Sequence, residues 1–458
     1  MLLIAAQIAA IIFLCLFIPS YLPVAAAAAG IWLLNIAAVS SAISRGTSPE
    51  INCALALFIV ALPVAGAVIY FIAARSRKGR GALNITNANP QGGLEKAAYA
   101  ACGICGAEYD KAVYLKDGEE FFRLLFKEIE SAQRYVYLEY FIVSRGKIFT
   151  RLISSLRKAQ KNGAEIKIIT DGIGSAFKMG RREKKTLKSL GAQIKFFHRL
   201  TPFPRSKLNF RDHRKIAAID GRVAFTGGIN LADEYANIKS PYGHWKDTAV
   251  AIYGEAAKIF EGMFLAQWKG KHEMSIESGA GQNRCLPFFD GPPKRAGFCE
   301  NAYATAIASA RERVHIFTPY FCAGEKLSSA LAFAAERGVD VKIIIPHVPD
   351  KKYAFALSKA SAKPLADRGV KFYEYTPGFM HAKSMVCDDR TFIGSYNLDH
   401  RSMRLNFECG VTLCGEFTEE AERDFKECIR LSSPLHEGKI SAWQKFVRFI
   451  LKLFAPLM

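Results

Sequence analysis

The chain carries one short pattern, His-x-Lys-x4-Asp, in two places: His213, Lys215 and Asp220, then His381, Lys383 and Asp388. With nine His in the chain, two copies by chance have a probability on the order of one in a thousand at average residue usage. Each copy leads to a glycine step ending in Asn, Gly227-Gly228-Ile229-Asn230 and Gly394-Ser395-Tyr396-Asn397. The likeness extends upstream. Arg134 to Phe141 resembles Arg313 to Phe321, Gly163 to Ile169 resembles Gly338 to Ile344, and Gly191 to Phe196 resembles Gly369 to Phe372. The offset is nearly constant until an insertion of about ten residues, Thr201 to Phe210, precedes the first motif. A repeat this long is a duplicated domain, not a solenoid unit.

Within each copy, apolar runs alternate with helical spacing. Phe121, Leu124, Leu125, Ile129, Leu152 and Leu156 recur helically in the first half. Leu327, Leu331, Phe333, Leu357 and Leu365 do so in the second. Strands alternating with helices predict an α/β fold, two halves of one sheet each, covered on both faces. After each motif lysine come apolar residues, Ile216 to Ile219 and Met385 to Val386, which read as strands buried on both faces. The expected arrangement brings His213 and His381 into one cleft.

The residue types suit a phosphodiester. A neutral imidazole can attack phosphorus and split one displacement into two. A second, protonated imidazole can give its proton to the leaving oxygen and take one from the incoming alcohol. Lys215 and Lys383 can offset charge on the non-bridging oxygens, and Asn230 and Asn397 can donate further hydrogen bonds. An acid near each His would hold its tautomer. Two cationic lysines take the place of a metal in this reading, and no cofactor is called for. A single His-x-Lys is as often a solvated surface strand; the matched pair argues against that.

These stretches resemble the phospholipase D superfamily, and within it the bacterial cardiolipin synthases of the phospholipase D type. The resemblance runs from about Tyr114 to Leu457. It is most specific in Asn209 to Lys215, Thr226 to Tyr235, Gly394 to Ser402 and Leu405 to Glu408, with Asp171 to Ser175 and Trp245 to Thr248 in support. It implies transfer of a phosphatidyl group from one phosphatidylglycerol to another, with release of glycerol, through a phosphatidyl-histidine and without metal; a phospholipase D hydrolase, a phosphatidyltransferase using another alcohol and, against the apolar runs, a membrane-tethered nuclease would use the same residues. By that carry-over His213 is the nucleophile and His381 the acid/base; the residues themselves do not separate the two roles. Glu234 and Glu408 follow the motifs at similar spacing and are candidates to orient the opposite His. Two departures stand out: Gly-Gly in one copy against Gly-Ser in the other, and Ala249 where relatives often have His.

Residues 1–80 differ from the rest. Leu2 to Ile18, Val24 to Ile43 and Cys53 to Ala74 are apolar runs, each about long enough to cross a hydrocarbon core. Arg75, Arg77, Lys78 and Arg80 follow, which places that side in the cytoplasm. Two or three spans satisfy the pattern, giving a multi-pass protein of the cell membrane with its catalytic part facing the cytoplasm. Residues 81–108 read as a linker, with Cys102 and Cys105 as a lone Cys-x2-Cys in it. Residues 109–280 and 281–435 are the two halves. Residues 436–458 form a basic amphipathic helix, with Trp443, Phe446, Phe449, Ile450, Leu453 and Phe454 on one face and Lys445, Arg448 and Lys452 on the other. The net charge of +20 would attract nucleic acid or anionic lipid alike. The apolar runs favour lipid, so phosphatidylglycerol and the membrane are the expected partners and nucleic acid is not. Eleven scattered Cys read as reduced thiols.

Overall fold

The computed structural model describes residues 21–44, 49–74, 82–198, 210–277, 283–292 and 297–436, with three isolated positions in the tail. The N-terminal helices belong to one compact unit, and the described residues from 82 to 436 form another.

In the N-terminal unit, helix α1 spans Tyr21–Ile43, α2 Pro49–Ala61 and α3 Pro63–Ala74. The apolar run Cys53 to Ala74 is therefore not one straight helix, as the sequence led us to expect, but breaks at Leu62. A proline at 63 has no N–H to give the preceding turn. The segments meet through small residues, with Ala38, Ala42, Ile59, Ala67 and Tyr70 buried together. Gly66 packs so closely that a Cβ there would lie 2.9 Å from the Ile59 Cα. At 13 and 12 residues, α2 and α3 are each roughly 20 Å long or less, short of a hydrocarbon core. Among the described residues one helix, Ala26–Ile43, is long and apolar enough to cross a membrane. The run Leu2 to Ile18 and almost all of the amphipathic tail lie outside the described residues.

The second unit is two mixed sheets of matching topology. The first contains β1 (Lys111–Leu115), β2 (Tyr135–Tyr140), β3 (Glu165–Asp171), β4 (Gln193–Phe197), β5 (Lys215–Ile219), β6 (Val223–Gly227) and β7 (Ala249–Tyr253). The second contains β8 (Arg284–Asp290), β9 (Arg313–Phe317), β10 (Asp340–Pro346), β11 (Lys371–Tyr375), β12 (Ser384–Cys387), β13 (Arg390–Gly394) and β14 (Asn406–Cys414). The spatial order is β1-β7-β6-β5-β2-β3-β4 in one and β8-β14-β13-β12-β9-β10-β11 in the other. Short strands, Ala107–Glu108 and Ser432–Pro434, extend the second sheet at its edges. In both sheets the last three strands are parallel and the other neighbours antiparallel. The duplication read from the motifs is thus a duplication of whole sheets.

Helices cover the sheets for reasons visible in their spacing. Lys147–Lys161 buries Ile148, Phe149, Leu152, Ile153, Leu156 and Ala159 on one side. Asp117 caps the helix Gly118–Glu130 by accepting from the Glu120 N–H at 2.8 Å. Of the apolar positions read as helical core, Phe333 is the exception: it is exposed, with the Arg337 guanidinium over its ring. Segment 82–108, expected to be a tether, is instead folded onto this unit. Ala82–Ile85 pairs with Lys271–Met274, and a helix spans Gly92–Cys102. The Arg284 guanidinium grips Glu95 through two hydrogen bonds of 2.9 Å. Gly103 ends that helix with φ +71°, and Cys105 is buried. The Cys-x2-Cys is therefore a helix terminus.

The motif aspartates do structural work. From His213 to Asp220 an extended chain covers roughly 20 Å, so Asp220 lies at the far end of β5. Its carboxylate accepts from the backbone N–H groups of Gln133, Arg134 and Tyr135 at 2.8–2.9 Å. Asp388 repeats this beyond β12, accepting from Arg311, Glu312 and Arg313. Both adopt left-handed backbone, φ +55° and +50°, a conformation Asp tolerates better than most residues. Each ties the hairpin after the motif strand to the start of its neighbour, β2 or β9. They were expected among the catalytic residues; the structure places them outside the site. Asp388→Ala should lower unfolding stability by about 1–2 kcal/mol, since three partly exposed donors lose a charged acceptor. Chemical denaturation should report that loss, while turnover measured well below the transition stays near that of the parent.

Candidate active site

Backbone pairing sets the site. Just before His213, Arg211–Asp212 pairs in parallel with Asn406 and Phe407, the residues just before Glu408. Just before His381, Gly378–Met380 pairs in parallel with His244–Lys246, the residues just before Asp247. One step further along each register, His213 faces Glu408 and His381 faces Asp247. The His213 N–H donates to Phe407 O at 2.9 Å, and the His381 N–H to Lys246 O at 2.7 Å. Each half therefore supplies the carboxylate for the other half's histidine.

The side chains complete that exchange. His213 Nδ1 lies 2.9 and 3.0 Å from the two Glu408 oxygens, and His381 Nδ1 lies 2.6 Å from Asp247 Oδ2. The ionised Glu408 can only accept there, so His213 carries its proton on Nδ1 and turns a bare Nε2 to the pocket, while His381 and Asp247 share a proton across Nδ1 and Oδ2. Asp247 and Glu408 occupy equivalent places. Ala249 pairs with Gly227 and Gly410 with Gly394, and each acid lies two residues before that position. Their supports differ with their length. The Ser395 hydroxyl donates to Glu408. At the matching Gly228 a Cβ would meet Asp247 Oδ1 at 2.0 Å, and the Thr248 N–H supplies the bond instead. The Gly-Gly against Gly-Ser difference follows from the acid each must accommodate.

Both histidines line one pocket of about 370 Å³, together with Asn230, Asn397, Glu234 and Trp245. Asn230 holds its walls, accepting from the Ile142 N–H and donating to the Tyr235 hydroxyl. Asn397 also faces the pocket, and its Oδ1 is buried without a partner among the described residues. Aromatic rings pack the histidines: Phe141 stands edge-on to His213 at 5.1 Å, and Trp245 lies 5.0 Å from His381. The lysines are buried beneath the rings, each 1% exposed. Lys215 Nζ donates to His213 O at 2.5 Å. Lys383 Nζ donates to His381 O and lies 2.9 Å from His381 Nδ1. Among the described residues, no group of three or more His, Cys, Asp or Glu is placed to hold a metal ion.

Glu408 is where sequence reasoning expected a ring-orienting acid; Glu234 is not. Glu234 lines the pocket and pairs with Lys178 at 3.5 Å, while Asp247 takes the role at His381. Counting from the motif misses Asp247. Counting back from the apolar strand, two residues before Ala249 and before Gly410, finds both acids.

The electrostatics of the two pairs differ. Burial pushes His213 down to about 4, against the pull of Glu408. Burial also raises Glu408, but His213, Lys215 and Ser395 outweigh it and hold the carboxyl below its ordinary value. His213 is thus a neutral ring on an anion at neutral pH. At the other pair, burial carries Asp247 up to about 7 despite Lys383, and burial with Lys383 and Lys215 holds His381 well below its usual value. His381 and Asp247 titrate as a unit. Burial lowers Lys215 to about 8 and Lys383 to about 7. The arrangement offers a neutral nucleophile and a proton-exchanging pair across one pocket, over a buried positive charge.

Comparison with known proteins identifies the family. The family described as "Cardiolipin synthase, PLD-like domain" matches residues 125–268 and 303–429. The chain is 38% identical to an uncharacterised protein of Streptococcus mutans, over 76% of this chain and 78% of that one. It is 35% identical to a cardiolipin synthase of a Geobacillus species, over 75% of this chain and 72% of that one. Among solved structures, phosphatidylserine synthase of Haemophilus influenzae superposes with a TM-score of 0.61 at 15% identity, covering 80% of this chain and 97% of that one. At that identity the superposition speaks for the fold alone.

Glu408→Gln and Asp247→Asn should each cut kcat by about 10²–10⁴-fold with little change in fold, as loss of a ring-orienting carboxylate does in hydrolytic triads. Near-wild-type kcat in both, measured on detergent-solubilised full-length protein, would count against the crossed pairing.

Proposed function

From the premise that the chain belongs to the phospholipase D-like cardiolipin synthase family, and is accordingly a phosphatidyltransferase, we propose that it makes cardiolipin from two molecules of phosphatidylglycerol. The observation that carries this reading is the pair of histidines in one pocket, each held by the other half's carboxylate.

In the proposed sequence, His213 Nε2 attacks the phosphorus of the first phosphatidylglycerol. The bond from phosphorus to the glycerol oxygen breaks, and His381 Nε2–H protonates that oxygen as glycerol leaves. The anionic Glu408 stabilises the positive charge on the phosphorylated ring. The hydroxyl of a second phosphatidylglycerol then gives its proton to His381 and attacks phosphorus. The nitrogen–phosphorus bond breaks and His213 returns. Lys215 and Lys383 favour the pentacoordinate state through their field from beneath the pocket. The anion at Glu408, against the raised Asp247, supports His213 as the nucleophile. The apolar α1 and the +20 charge support a membrane protein acting on anionic lipid. We place the catalytic unit on the cytoplasmic side because Arg75, Arg77, Lys78 and Arg80 follow α3, and we assign the N-terminal unit a multi-pass arrangement.

Purified protein given labelled phosphatidylglycerol should yield cardiolipin and glycerol. Phosphatidic acid as sole lipid product would replace transfer by hydrolysis. His213→Ala and His381→Ala should each lower turnover by at least about 10³-fold, and EDTA should leave it unchanged. Acid quenching of the parent should trap lipid on His213; an adduct on His381 would reverse the roles. The pH profile of kcat/KM should rise through about 4 as His213 loses its proton. It should fall above about 7 to 8 as the His381–Asp247 pair loses the proton that glycerol needs, together with Lys383 and Lys215.

A further inference from the structure

We propose that the rim of the catalytic pocket is itself a lipid-docking surface that sits on anionic phospholipid and admits one headgroup at its centre. The inference rests on the lipid-substrate reading above and adds where the bilayer meets the catalytic unit.

Three loops at the mouth repeat one pattern, an exposed apolar side chain beside a lysine of the pocket wall. Phe177, 87% exposed, precedes Lys178; Ile238, 39% exposed, precedes Lys239; Tyr353, 52% exposed, follows Lys351 by two residues, with exposed Val348 on its other side. Lys178, Lys239 and Lys351 all line the pocket. The first two loops come from one half and the third from the other. Scattered exposed apolar residues are ordinary and call for no explanation. These are not scattered. Among the described residues of the catalytic unit, seven large apolar side chains are exposed; four of them (with Ile173) lie on these three loops and a fifth, Tyr353, in the first turn of the helix Lys352–Ala366 that follows the third.

Charge completes the fit. The rim lysines have only loose acid partners, at 3.5 to 4.0 Å. An adjoining groove, which shares Lys239 with the pocket, adds Arg145 and Lys147. Apolar tips among cations are the composition of an interfacial element, where rings enter the acyl boundary and ammonium groups meet phosphates. A soluble phosphodiester would use the lysines but has no use for Phe177. A lipid surface uses both, so the occupant assigned to the rim is the phosphatidylglycerol-containing bilayer.

The test uses the full chain in vesicles of phosphatidylglycerol and phosphatidylcholine. Phe177→Trp should show extra fluorescence quenching, relative to the parent, when the lipid carries brominated acyl chains. An emission insensitive to brominated lipid would overturn the proposal, and this readout does not depend on turnover. Phe177→Asp should raise the apparent KM for vesicle phosphatidylglycerol about tenfold. With short-chain phosphatidylglycerol below its micelle threshold, KM and kcat should stay within twofold of the parent. Equal loss on both substrates would make Phe177 a structural residue and also overturn the proposal. Quenching in a protein that turns over neither substrate would uphold the docking surface and sink the cardiolipin reading.

Discussion

Everything in the catalytic unit depends on a two-way exchange between duplicated sheets. Two short parallel pairings, Arg211–Asp212 with Asn406–Phe407 and Gly378–Met380 with His244–Lys246, carry each histidine past the other half's carboxylate. Neither half holds the acid that its own histidine pairs with. The exchange also explains how so much charge is tolerated inside. Lys215, Lys383, Asp247 and Glu408 are all fully or nearly fully buried, and an isolated charge there would cost several kcal/mol. Interleaved, the two cations and two acids offset one another. What remains of the desolvation cost appears as lysines and histidines displaced toward their neutral forms, which is the condition a nucleophile and an acid/base need near neutral pH.

Support for this arrangement extends behind the pocket. The Asp171 carboxylate receives Arg211 and the Asp212 N–H. Arg214, which faces away from the pocket, is fully buried between Glu139 and Asp212 at 2.7 and 3.3 Å. On the other side Lys246 donates to Asp424 at 2.7 and 2.8 Å, and Tyr114 donates to the same carboxylate at 2.7 Å. Asp424 lies in the helix Glu416–Arg430 of the second half, so this buried pair clamps the segment that presents Asp247.

The duplicated α/β fold, the motif histidines and lysines, the pocket asparagines and Glu408 were legible in the sequence because each depends on local pattern. A histidine before a buried strand and a glycine step after it are marks a linear reading can find. Three things were not legible. Asp220 and Asp388 belong to the motif by spacing, but strand length carries them roughly 20 Å from the chemistry, where they close hairpins. Asp247 pairs with a residue 134 positions away, a contact only the sheet register specifies. The break at Leu62 depends on a proline inside an otherwise uniform apolar run, where composition alone reads as a continuous span.

The sequence separation inside the crossed pairs has a consequence for biosynthesis. His213 waits for Glu408, which lies 195 residues further along the chain. A ribosome-bound chain that has exposed its first half therefore holds a histidine with no tautomer lock and no neighbouring lysine from the second sheet. The His213–Glu408 pair forms only once the strand Asn406–Cys414 has been made and seated, so this part of the site is among the last features of the chain to be assembled.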